Sequence, residues 1–172
     1  MPMTTPEQII TRLAHNREVF TQLLTDIPAE QVRWSQEPGK WSLLLAACHL
    51  RDEERDDFRT RLRMVLESPG QPFPGINPTG WVVDREYGAQ DFHTVVREFL
   101  DERTTSIRWL TGLSSPAWEN VTIHPSLGPM SGRFILANWL AHDLLHIRQI
   151  TRLHYDYLHQ ASGQPLSYAG YW

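Results

Sequence analysis

Two histidines, His142 and His146, stand four residues apart inside the run Trp139-Leu140-Ala141-His142-Asp143-Leu144-Leu145-His146-Ile147-Arg148-Gln149-Ile150. The apolar residues of this run recur at helical spacing. On a helix an i, i+4 pair shares one face, with Cβ atoms about 5–6 Å apart, so both imidazoles can reach a single ion. Ile135, Trp139, Ile150 and Leu153 lie on the same stripe, which points the pair toward the apolar side of the helix. One histidine in such a place is ordinarily a core residue bonded to a neighbouring carbonyl. Two on one stripe each bring a ring N–H and a lone pair that need partners. A shared divalent ion meets both lone pairs together.

A third ligand is still required. His15, His93, His124, His154 and His159 have ordinary explanations as surface or loop residues, whereas His49 stands on an apolar helical run beside Leu45 and Ala46. His49 with His142 and His146 makes a three-histidine site from two helices, which leaves at least one position of a tetrahedral or octahedral ion open for chemistry. Imidazole donors suit several divalent ions. Zinc or nickel is the expected occupant, with iron or manganese as alternatives. Two carboxylates accompany the site. Glu53 lies one turn beyond His49 and Asp143 is next to His142, so each is a candidate for proton transfer or for fixing an imidazole tautomer. The bland alternative for both is a solvated or locally salt-linked side chain.

Two other motif readings fail. His142-Asp143-x-x-His146 is close to the zinc-protease pattern H-E-x-x-H, but Asp is one methylene shorter than the Glu base, and Arg152 stands where the extended motif needs a third histidine. Cys48 precedes His49 directly, and adjacent helical residues point about 100° apart, so the two do not form a thiol–imidazole pair. Cys48 reads as a small buried hydrophobe.

The elements that must position these residues are four amphipathic helices. Thr5, Pro6 and Gln8 form a helix start with a capping box, and the first helix runs to about residue 26 before Pro28. Residues 29–41 hold Trp34, Pro38 and Gly39, an ordered connection pinned by indoles. Ser42 caps a second helix from 43 to about 67, and the charged residues at 51–63 read as its solvated face, Glu53 excepted. Residues 68–90 carry four prolines and four glycines. A loop of about 23 residues is long enough to run the length of a neighbouring helix, so the second and third helices are expected to be parallel. Asp91 caps the third helix to about residue 113, residues 118–132 read as a shorter loop, and Ser131 caps a fourth helix to about residue 159. The tail, with Tyr168, Tyr171 and Trp172, is expected to pack back on the body or on a partner. Without period-2 alternation between the helical segments, the fold class is all-α, a four-helix bundle with a long crossover between helices two and three.

A chain of 172 residues has the size of one domain, here 1–172. Charged residues at 21% and a net charge of −4 leave no basic excess to hold a phosphate backbone, so nucleic acid is excluded as a partner. A single cysteine rules out an internal disulfide and fits the reducing cytoplasm. No leader pattern and no stretch near ~18 apolar residues is present, so neither export nor membrane insertion is expected.

Trp41-Ser42, Ala47-Cys48-His49-Leu50, Gly128-Pro129-Met130-Ser131 and the run from His142 to Ile150 resemble the DinB-like (DinB/YfiT) superfamily of metal-dependent enzymes. The resemblance implies a bundle with a crossover after helix two, a divalent ion on His49, His142 and His146, and commonly a homodimer. It also implies a small-molecule substrate. Members include thiol-dependent S-transferases and isomerases that use low-molecular-weight thiols. Three readings therefore stand: S-transfer from such a thiol, hydrolysis, and a non-catalytic metal-binding or stress-response module.

Overall fold

Each long helix starts on the side chain that local chemistry nominates. In a computed structural model, which describes residues 4–170, Thr5 Oγ1 accepts from Gln8 N while Gln8 Oε1 accepts from Thr5 N, closing the capping box of α1 (Pro6–Leu24). The second helical run, α2, spans 43–67 in three pieces: Leu43–Asp52, a π-helical turn at Glu53–Arg59, and Thr60–Glu67. Ser42 Oγ accepts from Leu45 N at its start. Asp91 caps α3 (Phe92–Thr111) and Ser131 caps α4 (Gly132–Ser162). Gly163, at φ +61°, takes the left-handed turn that ends α4.

The four helices form a bundle in which α1 packs on α3 and α4, and α2 packs on the same two. Helices consecutive in the first and second halves of the chain therefore sit diagonally. The pairs Arg51–Glu98, Arg55–Glu102 and Arg59–Ser106 advance together along α2 and α3, so these helices are parallel, as the long crossover predicts. Phe20 meets Phe99 and Arg17 meets Thr104, making α1 and α3 antiparallel. The crossover is anchored by buried Trp81 and Tyr87, the latter donating its hydroxyl to Asp52 at 2.8 Å. No helix among the described residues is long and apolar enough to cross a membrane.

Three expectations need correction. Residues 118–132 are not all loop: Val121–His124 (β1) and Gly128–Ser131 (β2) pair antiparallel, with Thr122 opposite Met130 and both buried. This hairpin closes the bundle end above α4, where a Cβ on Gly132 would crowd Leu66 Cδ2 at 3.0 Å and Trp118 O at 3.1 Å. The charged run of α2 is not a solvated face, since Arg51, Asp52, Glu53, Glu54 and Arg61 are all buried. Ion pairs with α3 and with the crossover, including Arg51–Glu98 and Arg85–Asp52, make that burial tolerable. In the tail, the turn Ser167–Ala169 leaves Tyr168 exposed and not packed back on the body, so of the two expectations only packing on a partner stands for it, while Tyr171 and Trp172 lie outside the described residues. The indole expectation at 29–41 is met at Trp34, whose Nε1 donates to Gln160 Oε1 and whose ring packs edge-on against Tyr157.

The apolar core comes in two clusters. One gathers Phe20, Leu43, Leu50, Phe99 and Ile150, the other Leu13, Leu62, Leu110, Leu136 and Trp139. Between them lies a charged layer. Arg103 of α3 is fully buried, and all five of its N–H donors are used: Nε and Nη2 on Glu54 at 2.9 and 2.8 Å, Nη1 and Nη2 on Asp143 at 2.7 and 2.6 Å, and Nη1 on Leu13 O at 3.3 Å. Asn16 Nδ2 donates to Asp143 and Trp139 Nε1 donates to Glu54. Every long helix thus contributes a side chain to one hydrogen-bonded layer.

Candidate metal centre

The histidine site sits at the level of this layer, between α2 and α4. Ser42 starts α2 so that His49 falls on its second turn, facing α4 across the groove in which Trp41 and Phe58 pack. The Trp41 ring lies 4.9 Å from that of His49 and is stacked 6.4 Å from that of His146. Phe58 lies 5.0 Å from His142. These rings keep water from one side of the imidazoles.

The three predicted ligands converge. His49 Nε2 and His146 Nε2 stand 3.3 and 3.1 Å from His142 Nε2, and one ligand atom from each histidine lies within 4.8 Å of the others. A ring nitrogen carries either a proton or a lone pair, so His142 Nε2 can hydrogen-bond only one of its two neighbours. A shared cation accommodates all three. Nitrogens ~2.0–2.1 Å from one ion lie roughly 3.3–3.4 Å apart in a tetrahedron and about 2.9 Å apart in adjacent octahedral positions. The two spacings to His142 Nε2, 3.1 and 3.3 Å, fall within that range.

Electrostatics prepare the same donor set. Burial pushes His49 down to about 4, with His146 adding to the shift, and pushes His142 down to about 2, with His146, His49 and Arg103 adding. Burial also lowers His146, against the opposing hydrogen bond to Gln149 Oε1. All three rings are therefore neutral near pH 7, with lone pairs available. His146 Nδ1 lies 2.8 Å from Gln149 Oε1. A proton on Nδ1 donated to that oxygen leaves Nε2 as the free donor.

The two carboxylates part company. Glu53 is buried on the π-helical turn and keeps one oxygen, Oε1, without a hydrogen-bond partner among the described residues. Burial, reinforced by the neighbouring Asp57 carboxylate, pushes its acid up to about 8. It is not part of the convergent ligand set. Asp143 faces the bundle axis, where both oxygens accept from Arg103 and one also from Asn16. Cys48 is a buried free thiol. Burial pushes it up to about 12, so it stays protonated and takes no part in the donor set.

Sequence reasoning missed Gln149, Trp41 as a wall of the site, and the Arg103–Glu54 pair. A signal existed for each charged residue. Arg103 follows Phe99 by four and precedes Leu110 by seven, Glu54 follows Leu50 by four, and Asp143 lies seven from both Leu136 and Ile150. All three occupy apolar-stripe positions, where a charge must find a buried partner.

The model of one family, described as the DinB superfamily, matches residues 12–150. Among solved structures the chain is similar to YfiT from Bacillus subtilis, described as a probable metal-dependent hydrolase with an unusual four-helix bundle topology. The identity is 15%, the TM-score is 0.77, and the alignment covers 96% of this chain and 94% of that one. No curated protein matches the sequence.

Proposed function

The chain belongs to the DinB superfamily, and on that premise we propose that it is a metal-dependent enzyme acting on a small molecule, with hydrolysis as its reaction. The observation that carries this reading is the convergence of three neutral imidazole nitrogens that hydrogen bonding alone leaves unmatched. His49, His142 and His146 would hold one divalent ion, zinc or nickel, with iron or manganese as alternatives. Three protein donors leave a coordination position for an outside ligand. A divalent ion supplies Lewis acidity, which polarises a carbonyl or makes water nucleophilic near neutral pH. The fold shared with YfiT supports the same choice.

The chain's own residues then have distinct parts. Gln149 fixes the tautomer of His146. Trp41 and Phe58 exclude water from one flank. Glu53, one helical turn beyond His49 and with its acid pushed up to about 8 by burial, is our candidate proton donor or acceptor. Asp143 acts as a positioning residue, since its bonds to Arg103 and Asn16 hold the turn that carries His142. The reading extends to a homodimer, supported by the exposed Phe134 and Leu144 of α4, and to the reducing cytoplasm, supported by the free Cys48.

The test is metal content after purification without a nickel column, followed by cobalt(II) substitution. About one divalent ion per chain is expected, and His49→Ala, His142→Ala and His146→Ala should each lose most of it. Stoichiometric metal in all three variants overturns the site. The cobalt spectrum separates the reactions. A hydrolase responds to pH and small anions. An S-transferase responds to a low-molecular-weight thiol, because sulfur then donates to the ion. A purely structural ion responds to neither, and that outcome overturns the enzyme reading.

A further inference from the structure

Beside the histidine cluster, a groove of about 700 Å³ runs along the C-terminal half of α4. That volume lies within the roughly 300–1,000 Å³ usual for small-molecule sites. Two of its lining residues, Trp41 and Gln149, are the same ones that touch His49 and His146. The groove therefore adjoins the proposed ion without containing its ligands.

Its charge is unusual for this chain. Lys40, Arg148 and Arg152 line it against a single carboxylate, Asp156. Asp156 is already taken by Arg152 Nε at 2.8 Å. Lys40 and Arg148 are exposed, and their side chains have no ion-pair partner among the described residues. Two positive charges thus stand free in one groove of a protein whose net charge is −4. The depression between α2 and α3 provides the contrast, since its Arg51 and Arg55 are already bonded to Glu98 and Asp56. The position of Lys40 is set by a turn in which its N–H donates to Glu37 O at 3.1 Å, with Gly39 at φ +84°. An apolar wall completes the groove. Trp41, Leu145 and Leu153 line it, and Leu145 is largely exposed.

We propose that this groove binds the substrate of the metal site as a small organic anion, its charged end between Lys40 and Arg148 and its apolar body against Trp41 and Leu145. Free cations in a concave, partly apolar surface raise the local concentration of anions and hold them where the body can shed water. The inference rests on the metal-dependent reading for the chemistry that follows, and stands apart from it for binding.

The probe is 1-naphthylacetate, an anion with an aromatic body, set against its neutral counterpart 1-naphthylacetamide. Both are titrated calorimetrically into the full chain, metal-loaded and after chelation. At low salt the anion should bind about tenfold more tightly than the amide, the factor expected of two modest charge contacts. That advantage should vanish in K40Q/R148Q. It should persist in R12Q/R97Q, whose exposed cations lie on α1 and α3. Both residues of the first pair are exposed, so circular dichroism should show an unchanged fold. Equal affinity for the two probes, no binding of either, or an advantage that survives K40Q/R148Q overturns the proposal. An advantage lost on chelation and kept in K40Q/R148Q places the anion on the ion, which overturns the groove and leaves the metal reading intact. An advantage kept in a chain that holds no metal supports the groove while the metal reading fails.

Discussion

Removing the guanidinium of Arg103 should unfold the protein more readily than any single change at the surface. In Arg103→Met the two carboxylates of Glu54 and Asp143 lose four charged hydrogen bonds between them, and Leu13 O loses a fifth. Both acids are buried and neither can turn to water. Breaking a buried pair by deleting one partner costs about 3–5 kcal/mol, and here one deletion strands two charges, so the loss should reach at least the top of that range. Against a total stability of roughly 5–15 kcal/mol for a domain, this is a large fraction. At about 2–4 °C per kcal/mol for a chain of this size, the midpoint should fall by roughly 10–20 °C. The assay is thermal and urea unfolding followed by circular dichroism at 222 nm. The apolar triple variant Glu54→Leu/Arg103→Leu/Asp143→Leu tests the cause, because replacing the whole set removes the stranded charge and should recover much of the loss. An Arg103→Met protein within about 1 kcal/mol of the parent would refute the reasoning. So would a triple variant no more stable than the single one.

Three further outcomes are expected. In the metal-free protein the three imidazoles, His49 buried and His142 and His146 partly so, have folded-state values below the ordinary one, so the unfolded chain binds more protons; stability should fall as pH drops from about 6.5 toward 4, and His49→Gln/His142→Gln/His146→Gln should flatten that slope in pH-dependent urea titrations. Glu53 has the opposite sign: its acid is raised from 4.5 to about 8, so the folded chain holds the extra proton and stability should decline as pH rises through that window. Glu53→Gln should gain on the parent at pH 9, and equal slopes for the two proteins would count against a raised acid at that position. Gln149→Ala should weaken ion binding about 10- to 100-fold in competition with a chelator, by freeing the His146 ring; unchanged affinity would show that the tautomer needs no help from this residue.

Helix starts were readable because capping is local chemistry. Thr5, Ser42, Asp91 and Ser131 each accept from an N–H three residues on. The His142/His146 pair was readable for the same reason, and the crossover because prolines and glycines at 68–90 break any long element, although the short helical turns at Trp81–Asp84 and Tyr87–Ala89 inside it were not foreseen. The hairpin was not, since strands of four residues containing Gly128 and Pro129 offer too little alternation to recognise. The π-helical turn is invisible to a pattern read at 3.6 residues per turn. The charged layer was half visible. Each of its acids and its arginine interrupts an apolar stripe, but the partners stand 40 to 49 residues apart in the chain, and only the fold says which charges meet.

The diagonal placement of α1 opposite α2, and of α3 opposite α4, bears on how the chain is made. Each long helix finds its neighbours in the other half of this bundle, so α1 and α2, when they emerge during synthesis, have little with which to build a core. At about 5–20 residues per second, α1 and α2 must wait several seconds for α3. They wait longer for α4, which brings two of the three histidines and completes the layer around Arg103. Until then their apolar faces are open to chaperones and to other nascent chains. The same interleaving means that a cut in the exposed start of the crossover, near Gly70, would yield two fragments with little core of their own that can assemble only with each other.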